Sequence, residues 1–599
     1  MQAIILAAGM GKRLMEITND QTKCMVKVNG TTLIEHCLNI ITLYPISKII
    51  LVIGYKGDKL REFIGNEYNN IPVEYVENDI YDKTNNIYSL YLTKEYLEKE
   101  DTILIESDLI FEKKIIDKLW NDSAKDVALV NKYESWMDGT VVEIDNENHI
   151  VNFLSKNEFK FNDVDNYYKT VNIYKFSKEF LKDKYIPFLE AYCKSKGLNE
   201  YYEQVLKVIT FLDKKNIKVC KLDDGEKWYE IDDKQDLNNA ETIFSTGIEK
   251  YQNRYGGYWR FPKLIDFCYI VNPYFPTPKM EEEFKCYFDT LLRQYPSGHN
   301  IQNILAAKMF NCKEEDIIVG NGAAELINSL MTVLNDKKVG VIYPTFQEYP
   351  ARLNKENVIK IFAKEPNFSY NLELIKENSD KADVFLLINP DNPSGNFIKK
   401  DDVIALAKYL KEKNKLLLLD ESFVDFAEGG ESNSLINEEI LEEHHNLIII
   451  KSISKSYGVP GIRLGVLVSK NKSIIEATQT NLSIWNINSY GEFFLQIFGK
   501  YHEDYKDACV KIADERDRFL KELQKIKFLR TIPSQANYFL CEVIDKDAKE
   551  LSEHLLKQNI LIKDCSLKEG FENKPYIRLT VRNKQDNNRI IKELKAILK

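Results

Sequence analysis

Two separated stretches of this chain concentrate residue types that handle phosphate. The first is LAAGMGKRL, from Leu6 to Leu14. Gly9 and Gly11 permit positive φ and let backbone N–H groups approach an anion closely. Lys12 and Arg13 add charge at the same point, and Lys23 lies ten residues beyond Arg13. The stretch has neither the GK[ST] ending of a Walker loop nor the GxGxxG dinucleotide pattern, so by itself it also reads as an ordinary strand-to-helix turn. The second stretch is SISKSYGVPGIRLG, from Ser452 to Gly465. A lysine that forms a Schiff base with a phosphate-bearing aldehyde needs an anion site close by. Around Lys455, the hydroxyls of Ser452 and Ser454 and the guanidinium of Arg463 provide one. NPDNPSG (Asn389–Gly395) and LLLLDES (Leu416–Ser422) precede it in order. Asp420 follows four leucines, so a carboxylate ends a buried strand, where it suits an acid paired with a protonated pyridine nitrogen.

The elements that must position these groups follow one rhythm. Ala3–Leu6, Ile49–Ile53 and Thr102–Ile105 read as buried strands, with helical apolar spacing over Thr32–Leu43 and Ile87–Leu97. This is the βαβ alternation of a parallel sheet covered by helices. It pauses near 240–262, where Asn238–Glu249 reads as a closing helix and the Gly256–Gly257 pair marks a linker or docking segment. A second α/β series then places strands at Ile317–Val319, Val339–Ile342, Val384–Ile388 and Leu416–Leu419. The two halves show no internal repeat.

At 599 residues the chain is too long for one domain of the usual ~100–200 residues. With 44% hydrophobic and 29% charged residues it can bury large cores, which sets aside disordered and collagen-like classes. Lys and Arg total 82 against 92 Asp and Glu, a net charge of −10, which argues against coating nucleic acid or binding an anionic membrane. The ten cysteines form no CxxC pair, as expected of reduced thiols in the cytoplasm. Neither a signal peptide nor a membrane span of ~18 apolar residues is expected.

The first stretch resembles nucleotidyltransferases that join a nucleoside triphosphate to a phosphate-bearing small molecule. LAAGxGxR followed by a lysine carries the likeness, with Thr22-Lys23 in place of the usual Pro-Lys. NDIYDKTNNIYSLYL (Asn78–Leu92), ESDLIF (Glu106–Phe111) and WYEIDDKQDL (Trp228–Leu237) resemble the phosphocholine cytidylyltransferase branch in particular. The likeness covers about 1–245 and implies a Rossmann-like, GT-A-like α/β domain. It implies nucleotide contacts from Leu6, Ala7, Ala8, Gly9, Gly11, Lys12, Arg13, Lys23, Asn85 and Ser89. It also implies Asp108 and Asp232 as Mg²⁺ ligands, with Glu106 and Asp233 beside them. Such chemistry neutralises the triphosphate while an acceptor oxygen attacks the α-phosphorus, and Lys23 would serve it directly. Trp136 is a candidate to face a cationic amine; its alternative is plain core packing.

The second set of motifs resembles pyridoxal-phosphate enzymes of aminotransferase fold type I, in the histidinol-phosphate aminotransferase-like group, over about 261–599. A short linker at 246–260 would join the halves. The resemblance implies a large lobe at about 286–490, with a small lobe from the flanking segments. It implies Lys455 as the cofactor-bearing lysine, Asp420 at the pyridine nitrogen, Asn392 at the phenolic oxygen and Phe346 stacked on the ring. Ala323 and Ala324 of GNGAAEL would offer N–H groups to the phosphate beside Ser452, Ser454 and Arg463. Tyr295 of QYPSG resembles the tyrosine that reaches a neighbouring subunit's cofactor, which implies a homodimer. Phe423 stands where the family's Asp-x-x-Tyr has tyrosine, so that hydroxyl is missing. Arg578 in YIRLTVR resembles the substrate-carboxylate arginine. If the segment is a strand, Arg582 shares its face; otherwise it is a surface charge. The tail ILIKDCS…YIRLTVR also resembles threonine-phosphate decarboxylases, with Lys563 in place of an arginine.

Together the resemblances imply two enzymes whose product and substrate meet. The second half would transaminate phosphonoacetaldehyde with an amino-acid donor, and the first would transfer CMP from CTP to the resulting 2-aminoethylphosphonate. Cytidylyltransferase–transaminase fusions of bacterial phosphonate biosynthesis have this arrangement, and the chain resembles them. The alternatives are decarboxylation of an amino-acid phosphate followed by cytidylylation of the aminoalkyl phosphate, or one half serving only as a binding or oligomerisation module.

Overall fold

The computed structural model describes residues 1–599 except Lys156, Glu365, Leu598 and Lys599. The chain divides into two compact units, Met1–Lys263 and Leu264–Lys599.

In the first unit, four strands run parallel at the sheet centre: Thr102–Glu106, Gln2–Ala7, Ile49–Ile53 and Ile71–Glu77. All residues of Gln2–Ala7 and Ile49–Ile53 are buried, as apolar strands covered on both faces must be. The expected strand positions hold within a residue or two. The helix expected over Thr32–Leu43 spans Leu33–Ile41, because Thr32 caps it in a reciprocal box with Glu35. Tyr168–Phe176 continues the sheet, antiparallel to Thr102–Glu106. The parallel register aligns Leu6 with Glu106. The phosphate loop and Asp108 therefore leave the sheet side by side, at the carboxyl edge where open α/β sheets bind ligands.

One two-stranded ribbon completes this edge. Trp228–Glu230 pairs antiparallel with Leu109–Phe111, and the Ile231 N–H donates to the Asp108 carbonyl at 3.0 Å. It brings Glu230 and Asp232 beside Asp108 across more than a hundred residues of chain. The closing helix is Lys234–Ile243, earlier than the spacing suggests, because Asp233 caps it with Asp236. Residues 246–260 pack within the first unit. They hold a short helix at Glu249–Gln252, and Arg254 donates to Asn239 at 2.7 Å.

The second unit has a seven-stranded sheet, in which Leu464–Ser469 runs antiparallel to both neighbours and the rest are parallel. A four-stranded antiparallel sheet of Leu529–Thr531, Tyr538–Val543, Tyr576–Thr580 and Lys563–Asp564 forms the smaller layer. Asp420 and Ser452 are the last residues of adjacent parallel strands, and Asn389 directly follows a third.

Beneath this edge lies a buried ion pair. Lys451 Nζ sits 2.7 Å from Asp425 Oδ1, with side chains 3% and 0% exposed. The other oxygen of Asp425 accepts from Tyr505 at 2.7 Å and Ser456 at 3.1 Å. Removing one partner would leave the other charge buried and unpaired. Asp425→Ala is therefore expected to destabilise the second unit by about 3–5 kcal/mol. Thermal unfolding should show the second unit's transition falling while the first unit's stays in place.

Candidate active sites

In the first unit the structure gathers Gly11, Arg13, Lys23, Asp108 and Asp232. Gly11 alone of the two loop glycines takes positive φ, +61°. A side chain there would also crowd the Lys23 stem, with its Cβ 3.2 Å from Lys23 Cβ. Thr22, in the position expected for proline, ties the lysine segment to the first strand through a 3.4 Å bond from its hydroxyl to the Ala7 carbonyl. Lys23 Nζ then donates to Asp108 Oδ2 at 2.6 Å and Asp232 Oδ1 at 2.7 Å, while Arg13 reaches Asp232 Oδ2 at 2.9 Å. Burial alone would favour the neutral amine, but the two carboxylates outweigh it and hold Lys23 above its ordinary range. Burial likewise opposes ionisation of Asp232, and Lys23 and Arg13 overcome it to hold that carboxyl below its usual value.

The remaining residues implied for this site fall into distinct places. Leu6, Ala7 and Ala8 are buried at the strand end, and Lys12 is exposed. Asn85 caps the helix Asn86–Tyr91, and Ser89 is buried against Asn78 at 3.1 Å. Trp136 stacks on Tyr229, centroids 4.1 Å apart and planes within 10°, so one of its faces is already covered. The fit to Mg²⁺ rests on chemistry: Asp108 and Asp232 offer hard oxygen donors, and Asp108 Oδ1 is buried without a hydrogen-bond partner.

A group of acids beside Asp108 was not anticipated as a unit. Carboxylate oxygens of Glu106, Asp108 and Glu230 lie within 4.8 Å of one another. Burial raises the carboxyls of Glu106 and Glu230 above their ordinary range, and it lifts Glu203 to about 7. Buried Lys169 stands 3.3 Å from Glu230. Glu230 was visible inside WYEIDDKQDL, but nothing local marks Glu203 or Lys169.

In the second unit Lys455 is half-buried and faces Arg578, Arg463, Asp420 and Asp266 electrostatically. Burial, then the two arginines, bring its amine down to about 8 against the opposing pull of the acids. Asp420 is gripped from both sides: Tyr349 donates to Oδ2 at 2.8 Å, and the Ser422 N–H to Oδ1 at 2.9 Å. Burial nevertheless pushes its carboxyl up. Tyr349 is the last residue of YPTFQEY, three residues after Phe346, and the two rings meet edge-on at 6.3 Å.

The residues fit the pyridoxal phosphate that the motifs imply. Ala323 and Ala324 open the twelve-residue helix Gly322–Val333, whose N-terminal N–H groups suit an anion. Gly322 has φ +72°, and a Cβ there would lie 2.5 Å from the Arg463 guanidinium, so the backbone and the arginine line one cradle. Ser452 is buried at the adjacent strand end, and Ser454 Oγ is buried without a partner, a hydroxyl available to phosphate. Asn392 Oδ1 accepts from Arg578 at 2.8 Å, and Arg578 also donates to the Cys268 carbonyl at 2.7 Å.

Arg582 is not twinned with Arg578. The strand stops at Thr580, and Arg582 turns to Asp586 at 2.8 Å and the Asp266 carbonyl at 2.8 Å. Lys563 instead stands directly opposite Arg578 across an antiparallel pair, on the same face. Tyr295 is 79% exposed, its ring 4.7 Å from Trp485.

An amine must be neutral to attack an aldehyde. Loading of the apoprotein with pyridoxal phosphate, followed by visible absorbance, is thus expected to accelerate through pH about 8, well below an ordinary lysine. Lys455→Ala should abolish that absorbance.

Comparison with known proteins agrees with this division. A MobA-like NTP transferase domain matches residues 3–159, and aminotransferase class I and II matches residues 272–594. A CMP-5'-(3-aminopropyl)phosphonate synthase of Streptomyces rubellomurinus is 28% identical over 100% of this chain and 95% of its own. An L-serine phosphate decarboxylase of Campylobacter jejuni is 30% identical over 64% of this chain and 100% of its own. Among solved structures, the histidinol-phosphate aminotransferase of Clostridium acetobutylicum superposes with TM-score 0.51 at 27% identity, over 56% of this chain and 99% of that one. A decarboxylase from Sulfurospirillum multivorans gives TM-score 0.51 at 29% identity, over 57% and 91%. The chain is an enzyme that carries a nucleotidyltransferase domain and, through residues 272–594, belongs to the class I and II aminotransferase family of pyridoxal-phosphate enzymes.

Proposed function

We propose that this protein makes and then activates an aminoalkyl phosphonate. The second unit would transaminate phosphonoacetaldehyde to 2-aminoethylphosphonate, and the first would convert that product and CTP to CMP-2-aminoethylphosphonate and pyrophosphate. The observation that carries this reading is the full-length likeness to a synthase whose name joins CMP to an aminoalkyl phosphonate, spanning both units in the same order.

In the second unit, bound pyridoxal phosphate would supply the electron sink for amino-group transfer. Lys455 would bear it and move protons, with an amine already drawn toward neutrality. Asp420, fixed by Tyr349 and Ser422, would hold a proton at the ring nitrogen. Phe346 would cover the ring, and Asn392 would meet its phenolic oxygen. Arg578 would take the carboxylate of the amino-acid donor. In the first unit, a phosphonate oxygen forms a bond to the α-phosphorus of CTP as the bond to the β-phosphate oxygen breaks and pyrophosphate leaves. Lys23 and Arg13 would neutralise the charge that develops, and Asp108 and Asp232 would hold Mg²⁺. A homodimer through the second unit would cover Tyr287, Phe288, Leu292 and Tyr295, all exposed, and would carry Tyr295 to the partner's site. Ten unpaired cysteines agree with a cytoplasmic setting, and no helix among the described residues is long and apolar enough to cross a membrane.

A second reading has support of its own. The serine phosphate decarboxylase relative is aligned over its whole length, and Phe423 lacks the hydroxyl found in the aminotransferase motif. The unit would then release CO₂ from an amino-acid phosphate.

Incubation with pyridoxal phosphate, phosphonoacetaldehyde and alanine or glutamate is expected to yield 2-aminoethylphosphonate by phosphorus NMR. Its absence, together with CO₂ release from phosphoserine or phosphothreonine, would select the second reading. With Mg²⁺ and each of four nucleoside triphosphates, pyrophosphate release should be greatest with CTP. Lys23→Met should lower that release about 100-fold or more, while Lys455→Ala should leave it unchanged.

A further inference from the structure

The backbone that carries Lys455 belongs to neither a strand nor a helix. The strand before it ends at Ser452, and the next short helical turn begins at Pro460. No ladder of repeating bonds fixes such a residue. The individual partners of its carbonyl and of its neighbours' carbonyls decide where its side chain starts.

One buried residue supplies two of those partners. Asn272 precedes the helix Pro278–Arg293 and is 1% exposed. Its backbone N–H donates to the Lys455 carbonyl at 2.9 Å, and its Nδ2 donates to the Ser456 carbonyl at 2.9 Å. Its Oδ1 accepts from the Tyr274 N–H at 2.9 Å, which fixes the orientation of the amide. Ser456 is held on its other side as well, through the bond from its Oγ to Asp425 at 3.1 Å. Three residues after Lys455, a Cβ on Gly458 would overlap the Phe275 carbonyl, so the two segments lie backbone against backbone. The same run of chain reaches the substrate side of the site, where the Cys268 carbonyl accepts from Arg578 at 2.7 Å. Within eight residues, Cys268 to Phe275, it touches both the lysine loop and that arginine.

We infer that Asn272 is a positioning residue for Lys455, its backbone and side-chain N–H groups setting where the lysine loop stands. It rests on the reading that Lys455 bears the cofactor of the second unit. The groups that face the amine are Arg578, Arg463, Asp420 and Asp266. Asp266 precedes Cys268 on the same run, so one segment fixes the lysine together with charges that act on it. Loss of the Asn272 amide would leave the buried Ser456 carbonyl without that donor and free the loop to move. The amine would then gain water and draw away from Arg578, and both changes favour its protonated form.

The position of Lys455 can be read without cofactor. Full-length, cofactor-free protein would be labelled with acetic anhydride across pH, and the Lys455 peptide followed by mass spectrometry. Reactivity in the wild type is expected to rise through pH about 8. Asn272→Ala and Asn272→Ser should each move that midpoint up by about one pH unit, cutting the reactive fraction near neutrality about tenfold. Labelling of the exposed Lys355 should stay the same. An unchanged Lys455 midpoint in either folded variant would overturn the inference. If both variants unfold the second unit, hydrogen exchange on the wild type decides. The Asn272 amide should then exchange as slowly as those of Leu447–Ser452, and fast, loop-like exchange would overturn the inference. If the midpoint shifts but the wild type takes up no pyridoxal phosphate, the positioning role stands and the cofactor reading falls.

Discussion

A lysine ammonium loses its hydration when it is buried, and the charges around it then decide whether it keeps its proton. This protein sets one half-buried lysine at each carboxyl edge and treats the two in opposite ways. Lys23 is clasped by Asp108 and Asp232, which hold it charged. A fixed positive charge is what a triphosphate needs. Lys455 is half-buried with Arg463 and Arg578 nearby, and their repulsion adds to desolvation in drawing its amine toward neutrality. A neutral amine is what an aldehyde needs. The two chemistries differ because the neighbours differ.

Both neighbourhoods depend on parallel strands ending together. In the first unit the register of Leu6 with Glu106 sets the phosphate loop beside Asp108, and the ribbon Trp228–Glu230 delivers Asp232 to the same point. In the second, Ile388, Asp420 and Ile450 are aligned across adjacent strands, so Asn389, Asp420 and Ser452 emerge at one edge. Beneath that edge, the Lys451–Asp425 pair anchors Ser456, the residue after Lys455. Rigid buried strands supply the positions, and short loops supply the chemistry.

The fold was legible in the sequence because its signals are local. Runs such as IILVI and LLLLD are too apolar for anything but a covered strand, and GMGKR and SISKS carry their chemistry within a few residues. Where boundaries differed, a cap decided: Asp233 starts the last helix of the first unit, a hydrogen bond that hydrophobic spacing does not reveal. Arg582 illustrates the same limit. Its spacing from Arg578 suggested one face of a strand, but the strand ends at Thr580 and Asp586 captures the guanidinium.

The sequence by itself determined the two α/β folds and singled out Lys23 and Lys455 with their glycine-, serine- and arginine-bearing loops, because each is written in contiguous residues whose spacing constrains their geometry. Tertiary structure decided what no contiguous segment can state. It paired Tyr349 with Asp420, set Lys563 opposite Arg578, and grouped carboxylate oxygens of Glu106, Asp108 and Glu230 within 4.8 Å of one another. A single glutamate in a sequence is most often a solvated surface charge. Only the folded chain shows that these acids stand together half-buried, because burial is a property of everything packed around a residue and not of the residue itself.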